Sequence, residues 1–146
     1  MQTDTFLKTL DNDRIVAAIL DAESRSRGEI RVHVTNQPTE DVEAAARARF
    51  EKLGMTKTTL RNGVLIYVAP RSQKFAVIGD AGIHERCGPT FWADIAAAME
   101  ADFRAGRFTD GIVKGVKEAG DALARYFPRE GRTQDVNELL DDVTED

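Results

Sequence analysis

Polar side chains of four residues are the candidates for chemistry in this sequence, and strand pairing predicts that they lie at one edge of a sheet. They are Glu29, Arg61, Asn62 and Asp80. Residues 61–81, RNGVLIYVAPRSQKFAVIGDA, contain an apolar run, a polar turn and a second alternating run, which is the pattern of a β-hairpin. If Ala69 faces Lys74 across the turn, antiparallel pairing places Asp80 opposite Gly63. Asn62 and Asp80 then share the edge.

A second strand brings Glu29 to the same edge. Residues 29–34, EIRVHV, precede a predicted helix and then the hairpin, so a right-handed crossover lays this strand parallel to the first hairpin strand. Two carboxylates, one amide and the guanidinium of Arg61 would form an ion or phosphate site. The alternative is conformational, because Asn, Asp and Gly are favoured at turns whether or not they bind a ligand. The residue types alone leave both interpretations open.

Helical periodicity predicts the elements that must position this edge. Predicted helices span Asp11–Arg25, Glu40–Leu53, a segment containing Phe91–Phe103, and a segment that begins at Phe108 and is closed by Pro128. Residues 81–89 carry two glycines and connect the hairpin to the third helix. The strand VLIYVA is apolar on both faces, so both faces need cover. We therefore predict the α/β class, a three-layer α/β/α sandwich with a small mixed β-sheet containing a β-hairpin and flanked by about four helices.

Length and composition predict one domain with a tail. A chain of 146 residues with 42% hydrophobic residues is long enough for one complete core. We predict this domain over residues 1–128 and an acidic tail over residues 129–146. The tail has few aromatic residues, but four of its apolar residues have helical spacing. They are Val136, Leu139, Leu140 and Val143. We expect a disordered tail or a short docking helix.

Composition also excludes several classes of function. The net charge of −5 argues against a nucleic acid partner, because neutralising phosphates requires a basic face. With one cysteine, Cys87, and two histidines, His33 and His84, the chain lacks a zinc pattern, so any bound metal should be hard and oxygen-ligated. We expect Cys87 to be a small buried hydrophobic residue rather than a nucleophile. Without a signal peptide or a run of about 20 apolar residues, we expect a soluble, cytoplasmic protein that does not insert into a membrane.

Several long strings of this sequence resemble the TPM domain family. They are SRGEIRVHV, LGMTKTTLRNGVLIYVA, KFAVIGDAGIHERCG, FWADIAAAMEADFRAGRFTDGI and GDALARYFP, which together cover roughly Asp11 to Pro128. The resemblance implies a mixed sheet between helices with a crevice at one sheet edge. Family members include thylakoid lumen proteins connected with photosystem II repair, with proposed acid phosphatase activity, and bacterial proteins that bind calcium or magnesium. Others are membrane-tethered and associate with partner proteins, whereas this chain resembles the shorter bacterial branch.

The resemblance also singles out positions that coincide with the hairpin cluster. It covers Glu29, Thr58 with residues 61–63, Gly79 with Asp80, and residues 82–84. On this basis we expect a non-catalytic domain that binds Ca²⁺ or Mg²⁺ weakly and acts in regulation or protein–protein interaction, with membrane-associated partners among those the family implies. The expected metal ligands all carry side-chain oxygen atoms, which hard cations prefer. They are Asp80, Asn62, Glu29 and Thr58.

Two other functions are compatible with these residues. The first is an acid phosphatase acting on phosphate monoesters, in which Asp80 would be a metal ligand or nucleophile while Arg61 and His84 would stabilise the phosphoryl group. The second is a pure interaction domain that binds an unidentified protein partner through the crevice or the acidic tail.

Overall fold

A computed structural model describes residues 1–129 and 143–146 of the chain. Its helices are α1 (Thr3–Thr9), α2 (Asn12–Ser24), α3 (Val42–Lys52), α4 (Ala81–Cys87), α5 (Pro89–Arg104) and α6 (Phe108–Tyr126). Its strands are β1 (Glu29–Val34), β2 (Gly63–Ala69), β3 (Lys74–Gly79) and β4 (Val143–Glu145). Short 3₁₀ turns occupy Met55–Lys57 and Pro70–Ser72.

The four strands form one mixed sheet in the order β3-β2-β1-β4. Strand β1 is parallel to both β2 and β4, whereas β3 is antiparallel to β2. Ala69 pairs with Lys74, Glu29 pairs with Gly63, and the Asp80 N–H donates to the Gly63 carbonyl at 2.9 Å. The predicted hairpin register and the predicted crossover are therefore both confirmed.

Helices cover both faces of the sheet, which confirms the three-layer α/β/α prediction. One face packs against α2, α5 and α6 in a large apolar cluster that includes Ile30 and Ile66. The other face packs against α3, where Phe50 and neighbouring residues cover Leu65 and Tyr67. Strand β2 is buried along its whole length because both of its faces are covered.

Most predicted helices are found, with small shifts at their ends. Helix α2 begins where predicted, and Asp11 caps it by accepting a hydrogen bond from the Arg14 N–H at 3.2 Å. Helix α3 begins two residues later than predicted, because Asp41 caps it by accepting from the Ala44 N–H at 3.0 Å. Helices α5 and α6 also match their predicted segments.

The number of helices in the described residues is six rather than about four. Helix α1 was not predicted. Residues 81–87 form α4, although they belong to the segment 81–89 that was expected to be a connection because it carries Gly82 and Gly88. Two tertiary features stabilise α4 despite Gly82: Asp80 caps its first turn and Ile83 is buried at 1% exposure. No helix in the described part of the chain is long and apolar enough to span a membrane.

Most of the predicted tail lies outside the described residues. This includes Val136, Leu139 and Leu140, three of the four residues of the predicted helical stripe. The fourth, Val143, belongs to a strand instead of a helix, because residues 143–145 pair with β1. Without β4, that side of β1 would present a row of open backbone groups, and Val and Thr favour extended structure at such an edge.

Candidate functional site

A crevice of about 550 Å³ lies beside the carboxyl end of β3 and the start of α4. Helix α3, the 3₁₀ turn after it, and the residue preceding Asn62 contribute its other walls. Its polar lining comes from several elements that are distant in sequence. The polar residues are Arg47, Glu51, Thr56, Arg61, Asp80 and His84. The crevice therefore coincides with the sheet edge predicted from the sequence.

Asp80 is the most buried charged residue of this crevice, with 7% of its surface exposed. Its Oδ1 accepts hydrogen bonds from the Ala81 N–H and from Arg61 Nη2, both at 2.8 Å. Its Oδ2 accepts from Arg61 Nε at 2.7 Å, so the guanidinium binds both oxygens. This pairing raises the pKa of Arg61. Asp80 thus caps α4 and neutralises Arg61 at the same time.

The backbone around Arg61 is shaped by the close approach of α4. Arg61 has a φ of +53°, a left-handed conformation that is uncommon for a residue with a side chain. Its carbonyl accepts a hydrogen bond from the Gly82 N–H at 2.7 Å. A Cβ atom at position 82 would lie 2.2 Å from the Leu60 carbonyl oxygen and 2.6 Å from that of Arg61. Glycine is therefore required where α4 meets this turn.

Glu29 and Asp80 lie on either side of Gly63 in the sheet, but apolar groups stand between them. Two strand spacings separate their backbones, which is about 10 Å. A Cβ built on Gly63 would contact Phe50 Cζ at 3.4 Å and Met55 Cε at 3.5 Å, so these side chains occupy the space above Gly63. Oxygen ligands of Ca²⁺ lie about 2.3–2.6 Å from the ion. The structure places these two carboxylates apart rather than around one position.

Asn62 and Thr58 are buried beside the crevice, and neither lines it. The Asn62 amide donates to the Arg27 carbonyl at 3.1 Å, which ties the hairpin to the segment before β1. The Thr58 carbonyl accepts from the Arg61 N–H at 3.3 Å, and its hydroxyl has no hydrogen-bond partner among the described residues. Of the four expected metal ligands, Asp80 lines the crevice, whereas the three residues of the phosphatase hypothesis, Arg61, Asp80 and His84, all line it.

Glu51 and Thr56 are crevice residues that the sequence analysis did not single out. Both lie near the end of α3, where the helical pattern predicts only that a polar residue faces outward. Their position over the sheet edge depends on the packing of α3 against β2 and β3. No group of three or more His, Cys, Asp or Glu residues in the described ranges could hold a metal ion. Among the described residues, a cation at this crevice would have two carboxylates, those of Glu51 and Asp80, and Arg61 competes with it for Asp80.

Cys87 lies outside this crevice at the end of α4. It is partly buried and packs against the large apolar cluster, close to its expected role as a small hydrophobic residue. Burial raises the pKa of its thiol, with a smaller opposing effect of Arg125. The thiol is therefore protonated near neutral pH, and a protonated thiol is a poor nucleophile.

Comparison with known proteins gives a consistent result. A sequence model described as the TPM domain matches residues 1–122. The NMR structure of the BA42 protein from the psychrophilic bacterium Bizionia argentinensis is similar, with 40% identity, a TM-score of 0.83 and coverage of 92% of each chain. The N-terminal domain of a P. gingivalis protein shares the fold, with 18% identity, a TM-score of 0.66 and coverage of 84% of this chain and 83% of its own. The search of curated proteins gave no significant match.

Proposed function

The chain belongs to the TPM domain family, and we propose that it is a non-catalytic member that binds Ca²⁺ or Mg²⁺ weakly at the Asp80 crevice. In this proposal the domain acts in regulation or in protein–protein interaction, and a membrane-associated protein is one kind of partner. The observation that carries the proposal is a nearly buried carboxylate, Asp80, in the wall of an open polar crevice that also contains Glu51.

The ligand set of this proposal differs from the one expected from the sequence. Glu29, Asn62 and Thr58 do not line the crevice, so the ligands proposed here are taken from residues that do line it. Asp80 and Glu51 would supply the charge, and the Thr56 hydroxyl and water would complete an oxygen shell. Two carboxylates give a weaker site than the four or five oxygen-bearing side chains of a dedicated calcium loop.

Arg61 gives a physical reason for weak binding. Its side chain is 49% exposed and holds both oxygens of Asp80, so it acts as an internal cation. A divalent ion would have to displace the guanidinium, which can move into solvent because half of it is already there. Removing Arg61 should therefore strengthen cation binding, whereas removing the charge of Asp80 should abolish it.

Thermal unfolding in EDTA, Ca²⁺ or Mg²⁺ tests this proposal. A ligand present at ten times its dissociation constant stabilises the folded state by about 1.4 kcal/mol. For a domain of this size that is a rise in melting temperature of roughly 4 °C. We expect the rise in the wild-type protein, a larger rise in Arg61→Gln, and none in Asp80→Asn.

Asp94→Asn is the matched control for this experiment. It removes one exposed carboxylate on α5 at a position that does not line the crevice, so the metal response should equal that of the wild type. An unchanged melting temperature of the wild-type protein at millimolar metal would contradict the binding of Ca²⁺ or Mg²⁺. If Asp94→Asn and Asp80→Asn lose the metal-induced rise in melting temperature equally, the metal acts through the overall charge of the protein.

The second candidate is the acid phosphatase, favoured by the presence of Arg61, Asp80 and His84 along one crevice. Arg61 and His84 could bind a phosphate monoester, but both oxygens of Asp80 accept hydrogen bonds, which lowers its strength as a nucleophile. The assay is hydrolysis of p-nitrophenyl phosphate in the presence of Mg²⁺. Turnover that is lost in both Asp80→Asn and His84→Gln would support this function, and turnover equal in all three proteins would reject it.

A further inference from the structure

A second polar pocket lies at the carboxyl end of β1, at the opposite end of that strand from Glu29, and it holds a carboxylate. The carboxylate belongs to Asp146. Its Oδ1 accepts from His33 Nε2 at 2.8 Å and from Arg49 Nη2 at 3.1 Å. Its Oδ2 accepts from the Thr35 hydroxyl at 2.7 Å and from the Asn36 N–H at 2.5 Å. A carboxylate has about four lone-pair positions, so these four donors saturate it.

Contacts that do not involve Asp146 hold two of the donor residues, His33 and Thr35, in place. The His33 side chain is 1% exposed, and its ring stacks on Tyr67 with centroids 5.6 Å apart and an interplanar angle of 15°. The Thr35 N–H donates to the Val68 carbonyl at 2.9 Å, and its hydroxyl accepts from the Gln37 N–H at 3.2 Å. Three of the four donors are therefore positioned by β1, β2 and the turn that follows β1, and the fourth, Arg49, comes from α3. Such preorganisation lowers the entropy that must be lost when a carboxylate binds.

The segment that occupies the pocket is short and partly exposed. Strand β4 pairs three residues with β1: Val143 with Val32, Thr144 with His33, and Glu145 with Val34. The Thr144 hydroxyl lies 2.8 Å from His33 Nδ1. If His33 is neutral with its proton on Nε2, as the contact with Asp146 requires, Nδ1 accepts from Thr144. One imidazole thus contacts a hydroxyl and a carboxylate two residues apart.

We propose that the β1 edge and this pocket form a receptor for a short acidic peptide strand of a partner protein, and that residues 143–146 are its resident, exchangeable ligand. The strand adds to the sheet through its backbone, as in other cases of strand addition. Specificity comes from a Thr-x-Asp pattern, the hydroxyl on His33 Nδ1 and the carboxylate in the four-donor pocket. An Asn in place of the Asp would direct an NH₂ group at two donors.

This proposal rests on the interaction role proposed above, but it involves a different surface from the Asp80 crevice. The positions Val143 to Asp146 define what the partner must supply: a β-branched residue, a hydroxyl, a variable residue and a carboxylate. Glu145 is exposed, so its charge is not part of the recognition. Binding is measured in EDTA, so its outcome does not depend on whether the crevice binds a cation.

Fluorescence anisotropy with a labelled peptide of residues 141–146, DDVTED, tests the proposal on the full chain. The resident strand competes with the peptide, so weakening it raises the fraction of open receptor and the apparent affinity. We expect Asp146→Asn to bind the peptide at least about tenfold more tightly than the wild type does. Glu145→Gln is the matched control, since it removes a neighbouring charge and should bind like the wild type.

Two further measurements separate recognition from a general charge effect. The peptide DDVTEN should bind every chain at least about tenfold more weakly than DDVTED, because its last side chain cannot accept from all four donors. Adding Arg49→Gln to the Asp146→Asn chain should weaken DDVTED binding by about tenfold, because a charged donor is lost. Arg49 is a partly exposed residue of α3, and circular dichroism checks that the variant folds.

Failure of DDVTED to bind the Asp146→Asn chain would overturn the proposal. Equal affinity of DDVTED for the wild-type and Asp146→Asn chains, or equal affinity of DDVTED and DDVTEN for the open chain, would also overturn it. A dimer of the wild-type chain that is lost in Asp146→Asn would support the receptor, with a second copy as the donor of the strand.

Discussion

Replacing Gly82 by alanine should destabilise the protein because α4 begins in direct contact with the backbone before β2. The added Cβ would lie 2.2 Å from the Leu60 carbonyl oxygen and 2.6 Å from the Arg61 carbonyl oxygen, whereas real contacts stay above 3.0 Å. Both atoms belong to the backbone, so no side-chain rotation can relieve the overlap. Helix α4 must move away from the turn that holds Arg61.

The expected magnitude follows from three contributions. Overpacking a close contact costs about 1–3 kcal/mol. The hydrogen bond from the Gly82 N–H to the Arg61 carbonyl, now 2.7 Å, is strained or lost, a change of about 1 kcal/mol. Alanine favours the helix over glycine by about 1 kcal/mol, which offsets that loss. We therefore expect a loss of about 2 kcal/mol, or roughly 4–8 °C in melting temperature.

Urea unfolding followed by circular dichroism measures this change, with Gly63→Ala as the matched control. The same methyl group at position 63 would meet its neighbours at 3.4 Å, an ordinary contact distance. Gly63→Ala should therefore stay within about 0.5 kcal/mol of the wild type. Equal stability of Gly82→Ala and Gly63→Ala would contradict the close contact between α4 and the turn that contains Arg61. The cation response should also weaken in Gly82→Ala, because Asp80 directly precedes α4.

Two further predictions concern pH and helix capping. Burial lowers the pKa of His33 below its ordinary value of 6.5 more than the hydrogen bond to Asp146 raises it, so the unfolded chain takes up a proton first and stability should fall as the pH drops below about 6.5. Urea unfolding at pH 7.5 and 5.5 should show this loss of stability in the wild type and in His84→Gln, but a smaller loss in His33→Gln. An unchanged loss in His33→Gln would contradict the prediction. Asp41 caps α3, so Asp41→Ala should lower the free energy of unfolding by about 1 kcal/mol in the same assay. Asp41→Asn can still accept from the Ala44 N–H and should be as stable as the wild type. An equal loss of stability in both variants would argue against capping.

The parts of the fold that were predictable depend on residues close in sequence. The hairpin register follows from the turn, because one pair, Ala69 with Lys74, sets every other pair of an antiparallel ladder. The start of α2 was predictable because Asp11 precedes apolar residues at helical spacing, which is a local signal, whereas the cap Asp41 of α3 was not predicted. Helix α4 was missed because the two glycines of residues 81–89 predict a break, although Gly82 is required there by a tertiary contact.

The position of the candidate site was predictable from the sequence, but the full set of residues that line it was not. Register arithmetic correctly brought Asp80 and Glu29 to either side of Gly63. It could not show that Phe50 and Met55 lie between the two carboxylates, because both come from the crossover segment above the sheet. For the same reason Glu51 was not recognised as a crevice residue.

The sequence by itself determined helices α2, α3, α5 and α6, strands β1 to β3, the hairpin register and the three-layer arrangement. These follow from periodicity, turn residues and the need to cover apolar strands. Only the tertiary structure decided that Arg61 neutralises Asp80 and that Asp146 binds in a pocket beside His33. His33 and Asp146 are 113 residues apart. Side-chain pairs at that separation are selected by the packing of the whole domain, which no local pattern encodes.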